Sequence, residues 1–217
     1  MSFSSSIIHR FEQRSLSGKR FAIVTNNCWG SDIYNTLGRE YNTPFVGLYL
    51  RGDGYINLLS DFCRGVNARL RFLGGSNLSG ETFDFPVAVL GDGIEIYFMH
   101  YRSQEEAQQK WARRLTRLNR ALDDGAELRF KFCDQAGSDE RFMRMYHQLD
   151  IGSKISFGVR PFESSRHVCV SPDPGSHMVP NGPRLYRKRY QYFDFCEWIG
   201  SGKVAKTARS RMLSMLR

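Results

Sequence analysis

Cys28, in "TNNCWG", and His100, in "GIEIYFMHYRS", each stand at the end of a short apolar run. There a thiol and an imidazole could serve as nucleophile and general base. The run before the first motif, "FAIV", is long enough for a buried strand and too short for a helix. In open α/β sheets the carboxyl ends of strands line the ligand crevice. Cys28 precedes a predicted helix N-terminus, whose dipole would lower its pKa; a small buried hydrophobe is the alternative. Asn26 and Asn27 offer donors and acceptors suited to hydroxyl-rich ligands such as sugars, or else make Asx turns or a cap. Trp29 could stack on a sugar or nucleotide ring, or close over the core. From Glu95 onward, alternation puts Ile96, Phe98 and His100 on one face, with His100 last, either as a general base or as a satisfied core histidine. Tyr101 follows it as a substrate contact. Asp92 sits between glycines, where it could reach a reacting group or only form a turn.

Further candidates lie outside these two motifs. In "YNTPF", Pro44 forces extended backbone and points Asn42 and Thr43 out of the next strand's start, as a second ligand loop or a rigid turn. In "KWARR", Lys110 and Arg114 are i, i+4 neighbours beside Arg113, spaced to clamp phosphate or to form a solvated basic face with Glu106–Lys110 pairing. Asp134 ends "LRFKFCD" at another predicted strand terminus. Neither a Walker loop nor GxGxxG follows the first strand, and neither DxD nor HxxxxD stands out, so the sequence names no cofactor. A metal site has little support, because the histidines and cysteines are scattered without a CxxC.

The elements that must position these residues alternate. "KRFAIVTNN", "PFVGLYL", "ARLRFLG", "PVAVLGD", "GIEIYFMHY", "ELRFKFCD", "KISFGV" and "HVCVS" read as strands, with helices predicted between several of them. The clearest helix is "SQEEAQQKWARRLTRLNRAL", with Ser103 and Glu106 as a capping box and Ala107, Trp111, Leu115 and Leu118 as its apolar stripe. Ser138 is the predicted cap of "SDERFMRMYHQL". The pattern predicts a three-layer α/β/α, Rossmann-like domain with a mainly parallel or mixed sheet over residues 1–200. "SPDPGSHMVPNGP" is an irregular excursion, read as a flap.

The chain has 217 residues, 41% hydrophobic and 24% charged, as expected for one soluble domain with a full core. No apolar run approaches the ~20 residues of a membrane span, and the start lacks a signal-peptide core, so a cytoplasmic location is expected. Five cysteines, odd in number, read as free thiols. Residues 184–217 hold nine Lys or Arg against Asp194 and Glu197, which is +7 of the net +9. The charge therefore belongs to the C-terminal part and gives no nucleic-acid-reading face. In the tail, residues 201–217, Val204, Ala208, Met212 and Met215 recur at helical spacing with Lys203, Lys206, Arg209 and Arg211 mostly off the stripe. A basic amphipathic helix of this kind would bind an anionic membrane surface or a partner, or pack on the domain.

"TNNCWGSDIYNTLGREYNTPFVGLYL", "LGDGIEIYFMHYRSQEEAQQKWARRLTRLN" and "LRFKFCD" resemble successive signatures of a bacterial domain-of-unknown-function family often labelled exopolysaccharide biosynthesis protein. The resemblance runs from about Phe21 to about Phe157. It departs at Gly93, which separates Asp92 from "IEI", and at Tyr97, where the family commonly has a second histidine. It implies an α/β fold and a surface-polysaccharide context without supplying a reaction. Together with the residues above, it leads to an expected transferase, glycosyl or acyl, acting on a nucleotide-activated sugar or lipid-linked glycan at the inner face of the plasma membrane. A non-enzymatic glycan- or lipid-carrier-binding accessory protein is the alternative.

Overall fold

The computed structural model describes residues 3–133, 135 and 139–216. The chain opens with α1 (Phe3–Leu16), β1 (Phe21–Thr25) and α2 (Trp29–Leu37), then α3 (Gly52–Ser60) and α4 (Phe62–Val66). β2 (Leu70–Phe72), β3 (Val87–Leu90) and β4 (Ile94–Tyr97) follow, then α5 (Gln104–Asp123), β5 (Glu127–Cys133), α6 (Glu140–Gln148), β6 (Ser153–Gly158) and β7 (His167–Cys169). Four short helices end it: α7 (Gly182–Arg187), α8 (Arg189–Tyr192), α9 (Phe195–Ser201) and α10 (Ala208–Met215).

Strands β1, β5, β6 and β7 form one parallel sheet in that order, and β2, β3 and β4 a small antiparallel one. β1 reads as a continuous apolar run because helices cover both faces of the sheet, while β5 and β6 interleave buried Arg129, Lys131 and Lys154 with their apolar residues. Along β1, Phe21 and Ile23 enter a core with residues of α1, α2 and the C-terminal helices, while Ala22 and Val24 enter a second core with residues of α3, α5 and α6. Ile96 and Phe98 bring the small sheet onto that second core. The expected α/β architecture is therefore present, with helices flanking a parallel sheet.

Two strand expectations change. "PFVGLYL" is not a second strand of the main sheet; only Tyr49 pairs, as an isolated antiparallel bridge with Tyr97. Gly47, at φ +76°, breaks its extended run, and the bend lets the Gly47 carbonyl accept from His100 N at 3.1 Å. "IEIY" likewise belongs to the antiparallel sheet and stops at Tyr97, so His100 lies in the turn beyond a strand of the smaller sheet.

Capping is local and mostly as read. Ser103 Oγ accepts from Glu106 N at 3.2 Å, while the Glu106 carboxylate accepts from Arg102 N at 2.8 Å and pairs with Lys110 at 2.6 Å. Ser138 lies outside the described residues; Asp139 caps α6, accepting from Phe142 N at 3.2 Å. The C-terminal helix starts only at Ala208, behind a Thr207 capping box, so Val204 precedes it. It buries Ser210 and Leu213, and Met212 and Met215 of the predicted stripe stay exposed. Arg209 and Thr207 both bind Asp194, fastening the tail to the α8–α9 region. No helix among the described residues is long and apolar enough to cross a membrane.

Candidate functional site

The carboxyl ends of β1 and β5 open into a cavity of about 480 Å³ lined by Asn26, Asn27, Cys28, Gln135 and Asn181, with Tyr49, Met99, Met178 and Pro183 as apolar walls and His100 on its rim. Four predicted residues thus meet here: Asn26, Asn27, Cys28 and His100. Asp134 lies outside the described residues.

The floor is built around Lys131, a buried cation that β5 aims toward the first core. Its Nζ donates to Asn27 Oδ1 at 2.9 Å and to Asn26 Oδ1 at 3.5 Å. Asn26 also spans the β5 backbone, accepting from Cys133 N at 3.2 Å and donating to Cys133 O at 3.1 Å. Asn27 Nδ2 donates to Gln135 Oε1 at 2.9 Å, and Gln135 Nε2 donates to Val179 O at 2.6 Å. The Pro-rich loop is thereby tied to the strand ends. Both asparagines are spent inside the protein, so they hold the floor rather than offering free amides. Both still line the cavity, and these internal bonds favour the turn-and-cap alternative for their amides. The lysine inside the alternating "LRFKFCD" is the sequence signal for this floor.

The start of α2 forms a wall. Gly182 of α7 abuts it so closely that a Cβ there would lie 2.6 Å from Trp29 N. Burial pushes the Cys28 thiol up to about 11, against the opposing pull of Lys131. Burial outweighs the helix start here, which favours the small-hydrophobe alternative over the thiolate; its sulfur lies 3.7 Å from Met99 Sδ. His100 is exposed, and its backbone is held by Gly47.

The other candidates are placed elsewhere. Trp29 is fully buried among Phe157, Tyr186, Phe195 and Trp198, because α2 packs its first turn into the core. Asn42 donates to Phe21 O at 2.9 Å and accepts from Tyr34 Oη at 2.5 Å, which locks it to the amino end of β1, away from the cavity. Thr43 is buried and accepts from Phe45 N. Tyr101 and Arg114 are buried together, Arg114 donating to the Tyr101 hydroxyl at 2.6 Å and lying over the Tyr41 ring. Lys110 pairs with Glu106 and Arg113 points to solvent, so no phosphate clamp forms. Asp92 occupies the β3–β4 turn between Gly91 and Gly93, both at positive φ, at the opposite end of β4 from His100.

A second, smaller cavity of about 250 Å³ adjoins the first across Met178 and is lined by Arg160, His167 and His177. Behind it runs a directional chain. Ser164 Oγ lies 3.0 Å from His147 Nδ1, His147 Nε2 lies 2.7 Å from Ser156 Oγ, and Ser156 Oγ lies 2.9 Å from His167 Nδ1. His167 Nε2 ends it at Arg160 O, 3.0 Å away. That carbonyl only accepts, so His167 donates there and every other proton follows for two neutral rings. Burial, with Lys154, His167 and Arg166 adding repulsion, lowers His147 from 6.5 to about 4. The unfolded chain takes that proton at higher pH than the folded one, so stability is expected to fall as pH drops from 6.5 toward 4. After discounting for partial exposure the loss is about 1–2 kcal/mol. Urea melts across that window should show it, and His147→Gln should flatten it.

A family model described as "Domain of unknown function (DUF1919)" matches residues 1–200. A Haemophilus influenzae relative, named "Uncharacterized protein", is 31% identical over 197 residues, spanning 88% of this chain and 90% of its own.

Proposed function

The chain belongs to the DUF1919 family, and we propose that it is a transferase, glycosyl or acyl, acting on an activated sugar or lipid-linked glycan in bacterial surface-polysaccharide biosynthesis at the inner face of the plasma membrane. The observation that carries this reading is the His100 imidazole, exposed on the rim of the 480 Å³ cavity at the carboxyl ends of a parallel sheet. At that rim the imidazole can take the proton of an acceptor hydroxyl as its oxygen bonds to the anomeric or acyl carbon and the bond from that carbon to the donor's leaving group, a diphosphate or a thiolate, breaks. Tyr49 and the methionine walls offer an apolar face to a sugar ring, and the amide floor over Lys131 keeps that wall rigid. Cys28 lines the same cavity, and burial raises its thiol to about 11, which favours a packing role over that of nucleophile.

The polysaccharide context rests on the family resemblance of the "TNNCWG", "YNTPF", "IEIYFMHY" and "KWARR" segments. A non-enzymatic glycan- or lipid-carrier-binding role is the second reading, favoured by the apolar walls of Tyr49, Met99, Met178 and Pro183.

Thermal shift against nucleotide sugars, acyl-CoA and polyprenyl-phosphate analogues tests the substrate class, since even millimolar binders raise the melting temperature by mass action. With the donor that stabilises the protein, His100→Ala is expected to lower turnover by about 10²–10⁴-fold with unchanged melting. Cys28→Ser should be mild. Binding without turnover would select the accessory role. Full turnover in His100→Ala would remove the histidine from the chemistry.

A further inference from the structure

Among the described residues, seven large apolar side chains stand exposed, and four of them, Ile7, Met212, Met215 and Leu216, belong to α1 and to α10 with its C-cap. The two helices are neighbours: Arg209 lies over the Phe11 ring at 5.8 Å, and Ile8 and Leu213 enter the same core. The exposed charges on and leading into this pair are of one sign. Arg10 and Arg14 stand on α1, Lys203 and Lys206 precede α10, and Arg211 lies on it. The single acid on either helix, Glu12, is fully buried against Arg189. Arg209 is withdrawn from the set by Asp194 at 2.7 Å and Glu197 at 3.6 Å.

From this we propose that the α1–α10 face docks on an anionic lipid bilayer. Met212, Met215 and Leu216 enter the boundary between headgroups and acyl chains, while Arg10, Arg14, Lys203, Lys206 and Arg211 meet headgroup phosphates. Nucleic acid would use the cations but would leave the exposed methionines in water, and among the described residues the face offers no exposed aromatic ring for base stacking. α10 alone carries too narrow an exposed stripe, because Leu213 is turned into the core. The surface is composite, and docking requires no unfolding of either helix. The proposal is independent of the chemistry assigned to the cavity.

Co-sedimentation of the full chain with vesicles tests it. One set is phosphatidylcholine alone; the other contains phosphatidylglycerol as well. The full chain should pellet with the anionic vesicles at low salt, weakly with the neutral ones, and less as salt rises. Arg10→Glu/Arg211→Glu and Met212→Asp/Met215→Asp should each reduce binding at least about tenfold with unchanged melting temperature. If the aspartates lower melting, Met212→Gln/Met215→Gln takes their place with the same expected loss. Absence of pelleting with anionic vesicles, undiminished binding by either double variant, or tighter binding to a single-stranded RNA oligonucleotide than to the vesicles would overturn the assignment.

Discussion

Glu12→Ala should destabilise the protein by about 3–5 kcal/mol, because it leaves a guanidinium buried without its carboxylate. Both partners of the Glu12–Arg189 pair are wholly removed from solvent, with Arg189 Nη2 2.6 Å from Glu12 Oε1. Arg189 Nε at 2.7 Å and the Tyr190 hydroxyl at 2.8 Å donate to the same oxygen. Arg189 is further held by the Tyr186 carbonyl and by the Tyr186 ring at 3.9 Å, so it cannot swing out to water when the acid is lost. The double variant Glu12→Ala/Arg189→Met should recover part of the loss, since it leaves no unpaired charge buried. Chemical denaturation of the two single variants and the double forms the cycle. A strictly additive double variant would show that the two residues act separately. The pair joins α1 to α8 across the length of the chain, so its loss should also loosen the face formed with α10.

Trp29→Ala is expected to cost about 3–5 kcal/mol, the range for truncating a large core aromatic. Its ring lies 5.7 Å from Trp198 and 5.8 Å from Phe157 and is fully buried. Its indole nitrogen has no hydrogen-bond partner among the described residues, so Trp29→Phe loses packing alone and should cost less than about 3 kcal/mol. A sugar-stacking tryptophan behaves oppositely, losing ligand affinity at unchanged melting temperature. Melting curves and ligand-induced shifts measured on both variants separate the two roles. Unchanged melting in Trp29→Ala would return the residue to the ligand site.

Much of the architecture was legible in the residues themselves. The apolar run "FAIV", the strand "KISF", the helical stripe of Ala107, Trp111, Leu115 and Leu118, and the Ser103 cap are set by neighbours within one or two turns, and all appear where the pattern places them. The gathering of Asn26, Asn27 and Cys28 was also legible, because they follow a strand of the parallel sheet, whereas His100 reaches the same cavity from the turn after β4 of the antiparallel sheet. Tertiary structure alone decided what each polar side chain does there. Asn27 meets Gln135 and Lys131 across more than a hundred residues, and Asn42 meets Phe21 rather than the cavity. Arg114 finds Tyr101 inside the core instead of a phosphate, and Trp29 finds three other aromatic rings and Phe157. Burial is a property of the whole packed chain: a local pattern says which face of an element turns inward, but not which distant donor or acceptor waits there. A polar or aromatic residue at a strand end therefore reads alike whether it is to hold a ligand or the fold, and only the partner brought up from far along the chain separates the two.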